Sequence, residues 1–452
     1  MDSLENYNKK KEQLIKELQA NINSGKNIGL GKNSSNLFRT RSQVNTKIID
    51  VRNFNQVINI DIKNLIVEVE GMTTYEDLVA ETLKYNLMPT VVPELKSITI
   101  GGAATGLGIE SSSFKYGLVH ETIKEIEVLL SNGTTVICTS NNKYKDLFFG
   151  FPNSYGTLGY ALKIKVKLVP VKKYVKITRI RYNKFKDYFN HIKKYCNDNS
   201  IDFIDGTIFS ENEMYITLGN FVDKASFVSN YKYMNIYYKS IQSKEEDYLT
   251  TLDYIWRWDT DWFWCSKHFK VQNPIVRLLL GKFMLKSSTY WKIMFFNRKY
   301  NINDKFERIF GKKCYSESVI QDVEIPIENC EEFLEFFNKE IGIKPIWVCP
   351  IKLYNKKVRY SFYAIDPNKV YINFGFWDTI KIKEIAGEVY FNRKIENKVK
   401  ELNGKKSLYS TSFYTEEEFW KLYNKKDYEK LKNKYDSLKR LNNLYNKCVK
   451  NS

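Results

Sequence analysis

Residues 99–113 read TIGGAATGLGIESSS, a stretch composed mostly of Gly, Ala, Ser and Thr. Nine of the chain's 21 glycines lie between Gly101 and Gly159, so the backbone there must approach another group closely or adopt positive φ angles. Small residues let backbone N–H groups crowd around a diphosphate, and Ser and Thr hydroxyls add further donors. The stretch therefore predicts a phosphate-binding loop, because tight turns without a ligand would leave its ordering entropy without compensation.

Two shorter loops of small residues flank this stretch along the chain. Residues 29–34 read GLGKNS, and residues 156–159 read GTLG. A Walker loop needs Ser or Thr after its lysine, but Asn33 follows Lys32. A GxGxxG dinucleotide fingerprint needs a third glycine at the position that Ser111 holds. The sequence therefore excludes both of these common nucleotide motifs.

The order of the loops resembles that of a known family. Lys115-Tyr116-Gly117 follows the long loop, and Asp146-Leu147-Phe148 precedes GTLG. In this order the motifs are similar to the FAD-binding domain of the vanillyl-alcohol oxidase and p-cresol methylhydroxylase (PCMH) type. Three segments resemble the Δ(24)-sterol reductase branch: GIESSSFKYG at 108–117, PNSYGTLGY at 152–160 and VPVKKYVKI at 169–177. Residues 254–267 and 319–328 are similar to bacterial members, among them a flavoprotein that reduces the methylene group of methylated fatty-acyl phospholipids.

The resemblance implies an α+β fold with three parts. A two-subdomain PCMH-type FAD-binding domain would span residues 1–172, an inserted α+β substrate (cap) domain 173–404, and a C-terminal return to the FAD domain 405–452. It also implies FAD as cofactor and NADPH as electron donor. Many members attach FAD covalently through a His in the first loop, near the place of Lys32, but no His precedes His120. We therefore predict that FAD is bound non-covalently.

The loops and the resemblance together predict the residues that bind FAD. These are Gly29, Gly31, Lys32, Asn33, Ser34, Thr99, Ile100, Gly101, Gly102, Ala103, Ala104, Thr105, Gly106, Leu107, Gly108, Ile109, Glu110, Ser111, Ser112, Tyr116, Gly117, Gly156, Thr157, Gly159 and Tyr409. We expect the four glycines of residues 101–108 to lie along the diphosphate.

Local patterns predict the elements that carry these loops. Thr73-Thr74 can cap a helix over residues 75–86, whose apolar positions share one face. Ser131-Asn132-Gly133 lies between two apolar runs and predicts a β-hairpin of residues 123–130 and 134–138. Further elements are predicted at residues 2–20 (a helix), 45–70 (strands) and 160–169 (a half-exposed strand).

The charge and the sparse metal ligands limit the function classes. The chain has 71 Lys and Arg against 52 Asp and Glu, a net charge of +19. This charge favours nucleic acid, phospholipid head groups or a phosphorylated cofactor as a binding partner, although a lysine-rich solvated surface explains it equally well.

Seven scattered cysteines indicate reduced thiols, and three histidines without zinc spacing predict no metal site. With no signal peptide or apolar run of ~18 residues evident, we predict a cytoplasmic protein and leave peripheral membrane contact open.

Residues 254–269 offer groups that reduction of an isolated C=C bond would need. Hydride does not readily attack an unactivated alkene, so an acid must supply a proton and another group must stabilise the resulting cation. Asp259 and Asp261 are candidate acids if burial raises their pKa, and Glu110 is the alternative acid. The aromatic rings of the segment offer π faces to the cation. Alternatively, Arg257 neutralises one aspartate, and the segment is an aromatic core with an ion pair.

The segment 274–296 allows two interpretations. It is apolar but contains Arg277, Lys282, Lys286 and Lys292. Such a composition is typical of an interfacial helix pair on an anionic membrane. It also fits two core helices with snorkelling lysines.

Three functions remain open. The leading hypothesis is an FAD-linked oxidoreductase acting on CH–CH groups, which reduces an isolated C=C bond of a lipid (a sterol side chain or a methylene fatty acyl chain) with NADPH. The second is an FAD-linked alcohol or lactone oxidase or dehydrogenase. The third is a basic, non-enzymatic nucleic-acid-binding protein, but no specific nucleic-acid motif is present and the glycine loops would be unexplained.

Overall fold

The computed structural model describes residues 3–20, 26–32, 38–39, 46–290, 292–293, 315–382 and 389–450. Its helices are α1 (Ser3–Ala20), α2 (Tyr75–Leu83), α3 (Ile100–Thr105), α4 (Ser113–Tyr116), α5 (Lys145–Gly150), α6 (Phe185–Tyr195), α7 (Tyr237–Ser240), α8 (Thr251–Ile255), α9 (Pro274–Met284), α10 (Cys330–Glu340), α11 (Tyr390–Glu401), α12 (Glu416–Leu422) and α13 (Lys425–Tyr435). Its strands are β1 (Asn27–Gly31), β2 (Thr46–Asp50), β3 (Val57–Asp61), β4 (Ile66–Glu70), β5 (Leu87–Pro89), β6 (Ile123–Leu129), β7 (Thr135–Cys138), β8 (Tyr160–Pro170), β9 (Tyr174–Tyr182), β10 (Phe203–Ser210), β11 (Glu213–Val222), β12 (Glu246–Thr250), β13 (Tyr315–Pro326), β14 (Ile346–Ile351), β15 (Tyr371–Ile382) and β16 (Lys405–Lys406).

The first lobe is built on a six-stranded sheet. Its strand order is β3-β4-β8-β6-β7, with β5 paired to β8. A separate two-stranded sheet joins β1 and β2 in parallel. The predicted hairpin is confirmed, because β6 and β7 pair antiparallel across a turn in which Gly133 has a φ of +80°. The predicted half-exposed strand is β8, whose buried residues alternate with partly exposed ones from Ile164 onward.

The helix α2 shows how local sequence sets an element of this lobe. Its N-cap is Thr74, whose hydroxyl accepts a hydrogen bond from the Asp77 N–H at 3.1 Å. Leu78 and Val79 are buried on its inner face. The helix ends at Leu83, three residues before the predicted end, because the chain turns at Asn86 with a φ of +54°. The predicted N-terminal helix is also present as α1.

The second lobe is built on an eight-stranded antiparallel sheet. Its strand order is β12-β9-β11-β10-β14-β15-β13-β16. Helices α6, α10 and α11 cover it, and their apolar residues form one buried core with the sheet. The predicted α+β fold is confirmed by this alternation of sheets and helices. None of the helices within the described residues is long and apolar enough to cross a membrane.

The C-terminal part of the chain contacts both lobes. Strand β16 adds two residues to the second sheet by pairing with β13. The chain then returns to the first lobe, where the Ile28 N–H donates to the Arg440 carbonyl at 2.8 Å. The domain boundaries after residues 172 and 404 stay a prediction, but the two large sheets do lie on either side of the first boundary.

Candidate active site

A cavity of about 1080 Å³ lies where the two lobes and the C-terminal segment meet. Small-molecule sites usually enclose ~300–1,000 Å³, so this cavity has room for a large cofactor and part of a second molecule. Its wall takes residues from β1, the glycine-rich stretch, β13 to β15 and the segment after β16.

Many of the predicted FAD-binding residues line this cavity. Those that line it are Gly29, Lys32, Thr99, Gly101, Gly102, Ala103, Thr105, Gly106, Leu107, Gly108, Ile109, Glu110, Gly156 and Tyr409. Those that lie outside the lining are Gly31, Ile100, Ala104, Ser111, Ser112, Tyr116, Gly117, Thr157 and Gly159. Asn33 and Ser34 lie outside the described residues. The structure thus brings residues of all three predicted glycine loops, together with Tyr409, to the same cavity.

The glycines of the long loop allow it to pack tightly against neighbouring backbone. A Cβ atom on Gly101 would lie 2.5 Å from the Gly71 carbonyl oxygen. A Cβ atom on Gly108 would lie 2.5 Å from a methyl carbon of Val119. Neither position leaves space for a side chain, so the backbone itself forms this wall of the cavity.

The polar groups of the wall fit FAD. Cationic side chains of Lys32, Arg39 and Lys447 line the cavity and would offset the negative charge of a diphosphate. The Tyr155 hydroxyl and the Trp347 Nε1–H are buried in the wall, and neither has a hydrogen-bond partner in the described part of the chain. Buried polar groups are rarely left unpaired, so a bound molecule is expected to satisfy them.

Aromatic rings form another part of the wall. Trp262 and Phe263 have φ angles of +46° and +59°, which direct this turn into the cavity lining. The Phe263 ring lies 4.6 Å from that of Trp377 and 5.4 Å from that of Trp347, between ring centroids. Trp258 is not part of the lining but stacks on Phe263 at 4.9 Å. The predicted aromatic segment therefore contributes two rings to the cavity, and strands β14 and β15 contribute two more.

The two candidate aspartates lie outside the cavity wall that the described residues form. Asp261 accepts a hydrogen bond from Arg277 Nη1 at 2.6 Å, and both side chains are buried. Asp259 accepts one from the Ser287 hydroxyl at 2.5 Å, and burial raises its pKa. Both carboxylates are thus bound within the protein, so their role as proton donors has no support from their position.

Glu110 does line the cavity, but it is paired. Arg257 Nη2 donates to Glu110 at 2.8 Å and to Asp205 at 2.8 Å. The alternative in which Arg257 neutralises Asp259 or Asp261 is therefore wrong, because its guanidinium group contacts two other carboxylates.

Sequence reasoning missed Glu94, a buried carboxyl group in the cavity wall. Its side chain is only 1% exposed, and among the described residues neither oxygen makes a hydrogen bond of ordinary geometry. Arg257 Nη1 lies 3.8 Å away. Burial, and then the negative charge of Glu110, raise the pKa of Glu94 well above its usual value. The sequence feature that could have identified Glu94 is its position directly after the apolar run Val91-Val92-Pro93.

Asp322 is a second cavity carboxyl group that sequence reasoning missed. It accepts a hydrogen bond from the Asn373 amide at 2.9 Å. Burial raises the pKa of Asp322 to about 6. Across the described ranges, no group of three or more His, Cys, Asp or Glu residues is arranged to hold a metal ion.

Comparisons with known proteins match this geometry. Residues 8–139 match the family described as "FAD binding domain". This range contains the first two glycine loops, so the chain carries an FAD-binding domain. Together with the reductase relatives described next, this domain makes the chain an FAD-linked oxidoreductase.

The relatives extend the match beyond that domain. "Delta(24)-sterol reductase" of Homo sapiens is 27% identical, covering 88% of this chain and 77% of the relative. The protein of the same name in Pisum sativum is 26% identical, covering 89% and 76%. "Cytokinin dehydrogenase 1" of Arabidopsis thaliana is 27% identical but covers only 31% of this chain. The predicted resemblance to PCMH-type flavoproteins of the Δ(24)-sterol reductase branch is confirmed.

Proposed function

We propose that the protein reduces an isolated C=C bond of a lipid, with NADPH as the electron donor. The observation that carries this proposal is the combination of three features in one cavity: the glycine-rich wall, the aromatic rings and the buried carboxyl group of Glu94, which makes no ordinary hydrogen bond among the described residues. The relatives that match most of the chain are reductases by name, which supports reduction over alcohol oxidation.

The cofactor would be held by this chain without a covalent bond. The glycine-rich wall and Gly156 would accommodate the diphosphate, with Lys32, Arg39 and Lys447 around it. The chemistry that FAD supplies when bound is hydride transfer from NADPH to carbon. Among the described residues of the cavity wall there is neither a His nor a Cys, which supports non-covalent binding.

Glu94 is the proton donor in this proposal. Burial favours the protonated form of this carboxyl group and raises its pKa, so it keeps a proton to give at a higher pH than an exposed carboxyl group does. The proton adds to the less substituted carbon of the alkene, and hydride adds to the other carbon. One NADPH and one proton are consumed per C=C bond, and Glu94 regains its proton from solvent.

The aromatic rings stabilise the charge that this protonation creates. A cation over a ring face gains ~0.5–2 kcal/mol, and more where water is excluded. Trp262 and Phe263 are both buried and both line the cavity. The same rings provide an apolar surface for a lipid chain, which supports a lipid as the substrate.

An anaerobic experiment tests the proposed function. Purified FAD-loaded protein is mixed with NADPH, and flavin reduction is followed by absorbance. A Δ(24)-sterol or a phospholipid with a methylene-branched acyl chain is then added in separate samples. We expect flavin reoxidation and a product carrying two additional hydrogens by mass spectrometry with one of the two lipids. Flavin that is reduced by an alcohol or a lactone precursor but not by NADPH would contradict the proposal and favour the oxidase. Lipid profiles of a host with and without the gene would identify the physiological substrate.

A further inference from the structure

Helix α9 presents an apolar face to solvent. Leu279 is 81% exposed and Phe283 is 78% exposed, and Ile275 and Leu278 are also mostly exposed. Ile275, Leu278 and Leu279 lie at positions i, i+3 and i+4, so they share one side of the helix. The backbone leaves helical geometry at Gly281, with a φ of +66°, and Phe283 lies just beyond this break. Contiguous exposed apolar patches are uncommon on soluble proteins and often mark a binding surface. The interpretation of this segment as core helices is therefore wrong for α9, and the segment beyond residue 293 lies outside the described residues.

The opposite side of α9 is anchored in the protein. Arg277 is 1% exposed, donates to Asp261 at 2.6 Å and donates through Nε to the Tyr233 carbonyl at 2.7 Å. Val276 and Leu280 pack against the hydrophobic core. The buried ion pair fixes the rotation of the helix, so its apolar side is held outward rather than exposed by loose packing.

Positive charge and the cavity wall lie next to this face. Lys282 and Lys286 are exposed beside it. The cavity wall begins directly after Lys286, because the next two residues, Ser287 and Ser288, line the cavity. Lys292, four residues further on, lines it as well. Lysines beside an apolar helix face are typical of helices that lie in the interface of an anionic bilayer. The net charge of +19 adds long-range attraction to such a surface.

We propose that the outer face of α9 docks the protein on an anionic phospholipid bilayer, so that a lipid chain can pass beside Ser287 and Ser288 into the cavity. Met234 adds a further exposed apolar side chain, next to the residue whose carbonyl holds Arg277. Docking follows from the surface alone, whereas passage of a lipid into the cavity rests on the proposed function.

Vesicle co-sedimentation of the full FAD-loaded chain tests docking without using its activity. Vesicles contain phosphatidylcholine alone or phosphatidylcholine with phosphatidylglycerol. We expect binding to the anionic vesicles and weaker binding to the neutral ones or at high salt. The double variant Leu279→Ser/Phe283→Ser should bind at least tenfold more weakly, which corresponds to about 1.4 kcal/mol. Both side chains are exposed, so folding and flavin content should be unchanged.

Leu438→Ser is the matched control, because Leu438 is 48% exposed on the C-terminal segment. It should bind vesicles like the parent. Equal binding by the double variant and the parent would overturn the proposal, and so would an equal loss in the control. The parent protein could fail to bind vesicles while the double variant changes the oligomeric state. In that case the outer face of α9 is a contact between copies of the chain instead. Vesicle binding without alkene reduction would leave docking intact and contradict the proposed function.

Discussion

Replacing Glu94 by Gln separates proton donation from every other role of this side chain. Gln has nearly the same shape and is neutral at every pH, as the buried carboxyl group is when protonated. General acid catalysis typically contributes ~10²–10⁴-fold to a rate. We therefore expect reduction of the alkene by pre-reduced enzyme to fall by at least about 100-fold. Reduction of the bound flavin by NADPH needs no proton from Glu94 and should keep its rate.

The same substitution should change how stability depends on pH. The pKa of Glu94 is raised in the folded protein, so between its unfolded value of ~4.3 and its folded value the folded state binds one more proton. The parent therefore loses up to about 1.4 kcal/mol of stability per pH unit as the pH rises through this window. The Glu94→Gln variant has no such loss, so its stability relative to the parent should rise as the pH is raised from 5 to 7.

Single-turnover kinetics and urea unfolding at pH 5, 6 and 7 provide the two measurements. Glu81→Gln is a matched control, since Glu81 is 45% exposed in its surface pair with Lys84 and should change neither result. A Glu94→Gln variant that reduces the alkene at the parental rate would refute the assignment, and Asp322 would become the next candidate. A variant with no added stability at pH 7 would show that Glu94 is ionised in the folded protein, which would refute the reasoning from burial.

Three further results are expected from simpler experiments. Asp261→Asn leaves Arg277 buried without its charged partner and should lower the free energy of unfolding by about 3–5 kcal/mol in urea titrations; an unchanged midpoint would contradict this. Gly101→Ala places a Cβ 2.5 Å from a backbone oxygen and should cost about 1–3 kcal/mol and reduce the flavin-to-protein absorbance ratio; a stable, fully yellow variant would show that the loop can shift. Acid precipitation of the protein should release all flavin into the supernatant, and a yellow pellet would mean a covalent bond.

Local signals in the sequence predicted the parts of the fold that depend on near neighbours. The cap at Thr74 and the glycine turn at Gly133 each act within a few residues, and both elements form, although the helix ends three residues earlier than predicted. The long glycine stretch also predicted most of its own contribution to the cavity wall, because close backbone approach is a property of glycine itself.

The rest of the site depends on contacts between distant residues. Arg257 stands beside two aspartates in the sequence, yet its guanidinium group pairs with Glu110 and Asp205, 147 and 52 residues away. Trp347 and Trp377 reach the cavity through the pairing of β14 with β15, which no periodic pattern specifies. Glu94 carries no motif, and its raised pKa arises from burial that only the folded chain creates.

The backbone hydrogen bond between Ile28 and Arg440 has a consequence for biosynthesis. A ribosome adds roughly 5–20 residues per second, so the glycine-rich stretch leaves it roughly 20–70 seconds before the segment around Arg440. For most of that interval the cavity-wall residue Tyr409 has not been made, and Lys447 is added only after Arg440. The cofactor can therefore enter a complete binding site only after translation has nearly ended. Nascent chains stalled before this segment should collect as flavin-free intermediates, exposed to chaperones and proteases.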